Sequence, residues 1–586
     1  MPSSRNRRLA VVGLPSLALG LILAGGWAAH LGMSVRDHLE ATRDALLRLR
    51  AGDVGTPSAV TTLAAARTHA AEARRLTGGL YWGLLTRLPV VGEGAATARG
   101  LAASVADVTD VLARVERATA PLLSASARAP GDLRGVLAAL DAMAPVLRDG
   151  AVRVEAARSR VAGTPASTGL AALDGARDTV LRETIRLRGM LSQGAEAAAL
   201  LPPMLGRDGP RRYFLAFETN AESRGTGGLV GAFGVLKADR GRVSVARLSA
   251  NTGLAASAKP VADLGRQFVS RYGPGAATTL SVSNLSPHFP YAAQTWTGLW
   301  RRQTGQDLDG AIATDPVGLS HILGAIGPVR IPGGETVTAG NVVDLTERQA
   351  YARYPDPAER KRYLVGIAGA VSEALTGALD RPTRLLPAFA RMVSEHRLRV
   401  WSRDEDEQRR LAATPLGGVL PERRGPYAGL VVNNSAGTKL DYYLDRSLTY
   451  ELGPCRPDGQ RSSRVRIRLT NDAPRGPLPA YVTARLDDPG RPHAAGSNLL
   501  WVSLYASVGA KATAVRLDER PVSFYAETER SHPVISKVLE FAPGQSRTLD
   551  VDLVEPYSAA APVVPAQPLV RPQRTLVTAD SRGCSS

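Results

Sequence analysis

Residues 220–234, NAESRGTGGLVGAFG, place one arginine, one glutamate and five glycines between the apolar runs YFLAF and FGVLKA. Glycine-rich turns of this kind can cradle phosphate. A Walker loop needs a lysine and then Ser or Thr after its last glycine, and a dinucleotide fingerprint needs three glycines at fixed offsets before a helix. Gly225 and Gly227 meet two of those positions, Val230 holds the third, and the strand-like AFGVLKA follows. A kinase or NTPase loop is therefore disfavoured. Two readings stay open: an oxyanion nest of exposed amides with Arg224 and the Thr226 hydroxyl, or a hairpin turn in which Arg224 pairs locally with Glu222 or Glu218.

A second cluster is YARYPDPAERKR, residues 351–362. Asp356 before Pro357, with Glu359 three residues on, reads as an N-cap, a proline at the first helical position and a capping-box acid. At 100° per residue Arg360 continues the stripe Leu364, Ile367, Ala368, Val371 and Leu375, which brings it out near the helix start. A guanidinium beside the positive helix end makes an anion site, which Arg353 and Arg362 could join. The alternative is that these arginines neutralise Asp356, Glu359 and Asp344. No G-x-S-x-G elbow is present, neither His288 nor His321 stands in a motif that would make it a base, and no HExxH or cysteine zinc spacing occurs.

The elements that must position these residues fall into zones. Residues 32–204 are rich in Ala, Leu and Arg, with apolar residues at three- and four-residue spacing. This spacing predicts a helical stalk or bundle. Over 205–400 strands alternate with helices, which argues an α/β domain with a mixed or mostly parallel sheet. Residues 425–556 alternate polar and apolar between turns and predict a β-sandwich. Residues 557–586 are proline-rich and expected as an extended tail. The fold class expected is multidomain: an N-terminal transmembrane helix, a helical stalk, a central α/β domain and a C-terminal β-sandwich.

The transmembrane helix is expected over 9–31. LAVVGLPSLALGLILAGGWAAHL carries no acid or base before His30, and about 20 such residues span a bilayer. Arg5, Arg7 and Arg8 precede it, so residues 1–8 are expected in the cytoplasm and the main body outside the cell membrane. A cleaved signal peptide is the rival reading. The whole chain of 586 residues carries 72 Lys+Arg against 54 Asp+Glu, a net charge of +18. Such a surface favours polyanions, here a lipid headgroup or phosphate-bearing glycan, since no nucleic-acid motif is present. The only two cysteines, Cys455 and Cys584, are expected to form one disulfide in an oxidising compartment.

RYFLAFETNAESRGTGGLVGAFGVLKADRGRV, with NNSAGTKLDYYLDR farther on, resembles a domain-of-unknown-function family frequent in actinobacteria and other Gram-positive bacteria. That resemblance covers roughly 205–555 and implies a membrane-anchored protein with an extracytoplasmic body. TWTGLWRRQTGQDLDGAIATDPVGLSHILGAIGPVRI followed by LTERQAYARYPD resembles, more remotely, the LytR-CpsA-Psr phosphotransferases. These move wall polymers from a polyprenyl pyrophosphate carrier to peptidoglycan. The likeness sets Tyr351, Arg353, Asp356, Arg360 and Arg362 at that family's tyrosine, arginine and acid positions, and Arg224 and Thr226 in its R-S-D-T segment. It implies a magnesium ion, with Glu218, Glu222 and Asp356 as candidate ligands, and Asp356 and Arg360 as catalytic candidates. Gly225 stands where that family has a metal-holding aspartate, and Tyr354 replaces its second arginine. More arginines than carboxylates therefore match, which favours binding a polyprenyl-linked or anionic wall glycan over transferring it. A divergent phosphotransferase and a structural envelope scaffold are the alternatives.

Overall fold

The structure is a computed structural model that describes residues 32–45, 57–89, 91–128, 133–379, 382–488, 490–580 and 582–584. The chain divides into two compact units, Met1–Pro203 and Met204–Ser586.

The first unit is helical: α1 (32–45), α2 (Pro57–Gly78), α3 (Leu80–Leu85), α4 (Gly92–Arg128), α5 (Arg134–Ala162) and α6 (Ala171–Met204). Alanines at helical spacing, Ala66, Ala70 and Ala73, are wholly buried on α2 and let neighbouring backbones approach closely. Val111 of α4, Leu147 and Val154 of α5, and Leu191 of α6 fill a common core. Charges occupy the outer faces, as in the exposed pairs Arg67–Asp110 and Arg153–Asp149.

These helices are amphipathic, and among the described residues no helix is long and apolar enough to cross a membrane. The expected transmembrane helix over 9–31 lies outside the described residues. That part of the expected fold class is corrected accordingly, because the helices the structure describes bury their apolar stripes against one another and expose charge.

In the second unit a five-stranded sheet runs in the order β3-β2-β1-β4-β7. Its strands are β1 (Arg211–Arg224), β2 (Gly227–Asp239), β3 (Arg242–Ala250), β4 (Gly310–Thr314) and β7 (Leu398–Ser402). β1 pairs antiparallel with β2 and parallel with β4, which makes the sheet mixed. The β2–β3 hairpin turns at Arg240 and Gly241, both with positive φ. Helix α7 (Gly265–Tyr272) leads to α8 (Phe289–Thr304), which covers one face and packs Phe289, Trp296 and Trp300 against Phe214 and Phe233. The other face is covered by α9 (Pro316–Ile326), the hairpin β5 (Val329–Arg330) and β6 (Thr336–Val337), α10 (Val342–Asp344), and α12 (Pro357–Ala378) and α13 (Pro382–Ser394). Between α10 and α12 the chain passes through a π-helical turn, Leu345–Gln349, and α11 (Ala350–Arg353). Helix α14 (Glu405–Ala412) follows β7.

The remaining strands form two facing sheets. The first contains β9 (Leu444–Cys455), β10 (Gln460–Asn471), β12 (Lys511–Leu517), β13 (Arg520–Pro521), β16 (Ser546–Pro556) and β17 (Arg574–Ala579); the second contains β8 (Ala428–Asn434), β11 (Asn498–Ala506), β14 (Tyr525–Glu529) and β15 (His532–Phe541). Strict alternation on β10 turns Val465, Ile467 and Leu469 into the core and Arg464, Arg466 and Arg468 outward. The proline-rich tail is extended and inserts: Leu569 is buried in the sandwich core, and β17 then pairs parallel with β9. The Cys455–Cys584 disulfide closes that end, joining positions 129 residues apart.

Candidate functional site

The sequence motif sits where the mixed sheet meets the sandwich. Up to Thr219 strand β1 is paired with β2, and from Ser223 it is paired again, with Ser223 opposite Gly228 and Arg224 opposite Gly227. Residues 220–222 leave that ladder as a bulge, and such an insertion re-aims side chains away from the strand. Ala221 packs in one cluster with Leu440, Val482 and Tyr351. The glycines permit this crossing of chains: a Cβ on Gly225 would strike the Leu285 carbonyl, and one on Gly228 the carbonyl of Thr219.

Each polar residue of the bulge and turn has a buried partner. Glu347, from the π-helical turn, accepts bonds from the Asn220 amide (3.2 Å), the Ala221 amide (2.7 Å) and the Thr219 hydroxyl (2.8 Å). Asn220 donates through its side chain to the Pro568 carbonyl at 2.9 Å. Asp441 accepts from the Ser223 amide at 2.8 Å and its hydroxyl at 2.6 Å, and also from Asn434 and Asn498. Gln567, in the tail, donates to the carbonyls of Arg224 and Val432. The sheet, the sandwich and the C-terminal tail thus meet on residues 219–224.

Arg224 is 5% exposed. It bonds Glu222 at 2.7 Å and donates to the carbonyls of Ser281, Ser223 and Asn434. Lys439 clasps the other oxygen of Glu222. Burial alone would raise the Glu222 carboxyl, but Lys439 and Arg224 outweigh it and hold it below the usual carboxylate range. The Lys439 ammonium lies 5.6 Å from the Tyr481 ring centroid, and the Arg360 guanidinium covers the same ring at 3.8 Å. Arg360 is 2% exposed and donates to the Tyr354 carbonyl at 2.9 Å, while its Nη2 has no hydrogen-bond partner among the described residues.

Thr226 donates its hydroxyl to Glu218 at 2.5 Å and its amide to the Asn284 carbonyl at 3.3 Å. Glu218 also receives Asn284 and lies 3.9 Å from Arg399. Burial pushes both Glu218 and Glu347 up to about 7, against hydrogen bonds and, for Glu218, against the Arg399 charge. Burial likewise raises Asp441, although four hydrogen bonds oppose the shift.

The sequence-based candidates therefore part company. Arg224, Thr226, Glu218 and Glu222 lie in the junction, and Arg360 joins it through Tyr481. Arg353 is half-exposed and pairs with Glu335 at 2.7 Å, while Arg362 stands in solvent 3.9 Å from Glu359. Asp356 accepts the Glu359 amide at 2.8 Å as the N-cap of α12. His321 pairs with Glu395, and His288, held well below its usual range by burial, accepts the Leu420 amide.

The magnesium ion implied by the remote resemblance does not fit these residues. Glu218 is committed to Thr226 and Asn284, Glu222 to two cations, and Asp356 to its helix cap. Among the described residues no group of three or more His, Cys, Asp or Glu could hold a metal ion. The two side-chain probes of the nest reading, Arg224 and Thr226, already have acceptors within the chain.

Residues 208–351, which contain this motif, match a family model. The family is described as a protein of unknown function, DUF4012. No curated protein and no solved structure matches the chain. The DUF4012 match runs from just before β1 into the first turn of α11, so it holds Glu218, Glu222, Arg224, Thr226 and Glu347 but stops short of Lys439 and Asp441. Those last two stand in NNSAGTKLDYY, a polar, turn-rich stretch in which nothing local points to Glu222 or Ser223. Gln567 had none, being one amide in a proline-rich run.

Proposed function

We propose that this chain is a structural protein of the extracytoplasmic envelope, whose mixed sheet and sandwich are locked into one rigid body by the DUF4012-matching motif. One observation carries the reading. The side chains of the motif read as phosphate binders, Arg224 and Thr226, and those read as metal ligands, Glu218 and Glu222, are buried and end on partners within the chain. A buried network of paired charges rigidifies the elements it joins, and a ligand would have to break those pairs to enter.

Location outside the cytoplasm is supported by the Cys455–Cys584 disulfide, since such bonds persist in oxidising compartments. The net charge of +18 supports loose association with anionic wall polymers through a general field. The competing readings, an arginine site for a polyprenyl-linked glycan and a LytR-CpsA-Psr-type transferase, need Arg224, Arg353 and Arg360 to converge on an open site. Instead Arg353 turns to Glu335.

The test is purification of the full chain in mild detergent with quantification of bound organic phosphate and of polyprenyl phosphate binding across a salt series. The structural reading expects substoichiometric phosphate, with any binding lost as salt rises and unchanged by Arg353→Ala. Stoichiometric polyprenyl phosphate that survives high salt and is lost with Arg353→Ala or Arg360→Lys would overturn it in favour of the glycan-carrier site.

A further inference from the structure

One end of the helical unit exposes apolar side chains that its own helices do not cover. Helix α1 runs antiparallel to α2, with Thr42 reaching the Ala66 carbonyl and His38 beside His69. Its first turn therefore lies where α2 gives way to α3 and the turn into α4. There Trp82 is buried with Val35 and Ala95 and donates to the Ala95 carbonyl at 2.8 Å.

Pinned by that tryptophan, the flanking residues face out. Leu80 is 89% exposed, Leu84 60% and Leu88 50%, with Tyr81 beside them and Met33 on the first turn of α1. The α5–α6 connection reaches the same end, since Leu170 lies 3.6 Å from a Cβ placed on Gly94, and it too is exposed. Leaving such a set in water is unfavourable, because apolar surface gains free energy on leaving water. Contiguous exposed apolar surface marks an interaction site.

We infer that this end of the helical unit is a lipid-facing surface that rests on the headgroup–acyl boundary of a membrane. Two features select lipid over protein as the occupant. Leu9 to Leu31, which precede α1 in the sequence, contain no Asp, Glu, Lys or Arg. Between Leu76 and Val91 there is no acid either, and the one charged side chain is Arg87. Apolar residues with a tyrosine and a cation at the rim suit an anionic interface, where the apolar part enters roughly 5–10 Å. The inference is independent of the proposed structural role of the motif in the other unit.

The test uses the full chain, disulfide intact, reconstituted into vesicles of phosphatidylglycerol and phosphatidylcholine. Leu84→Cys, Leu170→Cys and Met190→Cys variants are each labelled with an environment-sensitive fluorophore. Met190 is 70% exposed and stands on α6 about 28 Å along the helix axis from Ala171, at 1.5 Å per residue. Brominated phosphatidylcholine should quench the labels at 84 and 170 several-fold more than the label at 190. Equal quenching at 84 and 190 would overturn the inference. So would a blue-shifted label at 84 that brominated lipid leaves unquenched, which would show that protein covers the face: another segment of the chain or a second copy.

Discussion

The motif junction and the apolar end of the helical unit reverse the ordinary distribution of residues in opposite directions. At the junction, Glu218, Glu222, Arg224, Lys439 and Asp441 are buried, although charged groups are almost never fully buried unless paired. At the helical end, Leu80, Leu84 and Leu88 are exposed. The side chains that look chemical are consumed in holding elements together, while the side chains that look like core are left available to a partner. Chemical character alone does not mark a functional surface; a group must also be unspent.

The largest effect should come from Glu222→Ala, which leaves Arg224 and Lys439 buried side by side without their common anion. Removing one partner of a buried pair typically destabilises by about 3–5 kcal/mol, read here by chemical denaturation of the full chain. A loss below about 1 kcal/mol would mean the junction is not buried as described and would erase the comparison. Next, breaking the disulfide with Cys584→Ser should lower stability by about 2–5 kcal/mol. The loss should show first in the sandwich end, followed by hydrogen exchange in β9 and β17. Unchanged exchange there would detach the tail from the junction.

A smaller, pH-dependent effect follows from Glu218 and Glu347, both raised to about 7 in the folded chain. A raised carboxyl favours the folded state while protonated. Its contribution is fully present below the unfolded value of about 4.3 and is lost as pH rises through about 7. Glu347→Gln should therefore flatten the fall of the melting temperature between pH 5 and pH 8. An unaltered slope would show that Glu347 is solvated. The smallest effect belongs to Arg353→Ala, whose half-exposed pair with Glu335 is worth about 0–1 kcal/mol. A larger loss would place Arg353 inside the network and blur the contrast with Arg224.

Periodicity exposed most of the architecture in the sequence. On α12 Ile367, Ala368 and Val371 are buried as spaced, but Arg360, expected to emerge near the helix start, is buried as well; β10 alternates without a break. The Asp356 cap is local chemistry and readable as such. The site was only half legible. Local pairing of Arg224 with Glu222 could be read from two residues of separation, but Lys439 and Asp441 reach the motif from more than 210 residues away. No local pattern encodes a contact at that range. Arg353, expected to join Arg360, does not, because a helical position fixes only the face from which a side chain leaves. Arg360 leaves α12 toward Tyr481, and Arg353 leaves α11 toward Glu335.

The account rests on Arg224 being spent inside the chain, and a double-mutant cycle on Arg224→Ala and Glu222→Ala tests that most directly. Residues in one buried network couple by roughly 0.5–3 kcal/mol. The upper half of that range is expected, with the double variant less destabilised than the sum of the two single changes. Additive, near-zero effects on stability, together with loss of a bound phosphate-bearing ligand from Arg224→Ala alone, would contradict it.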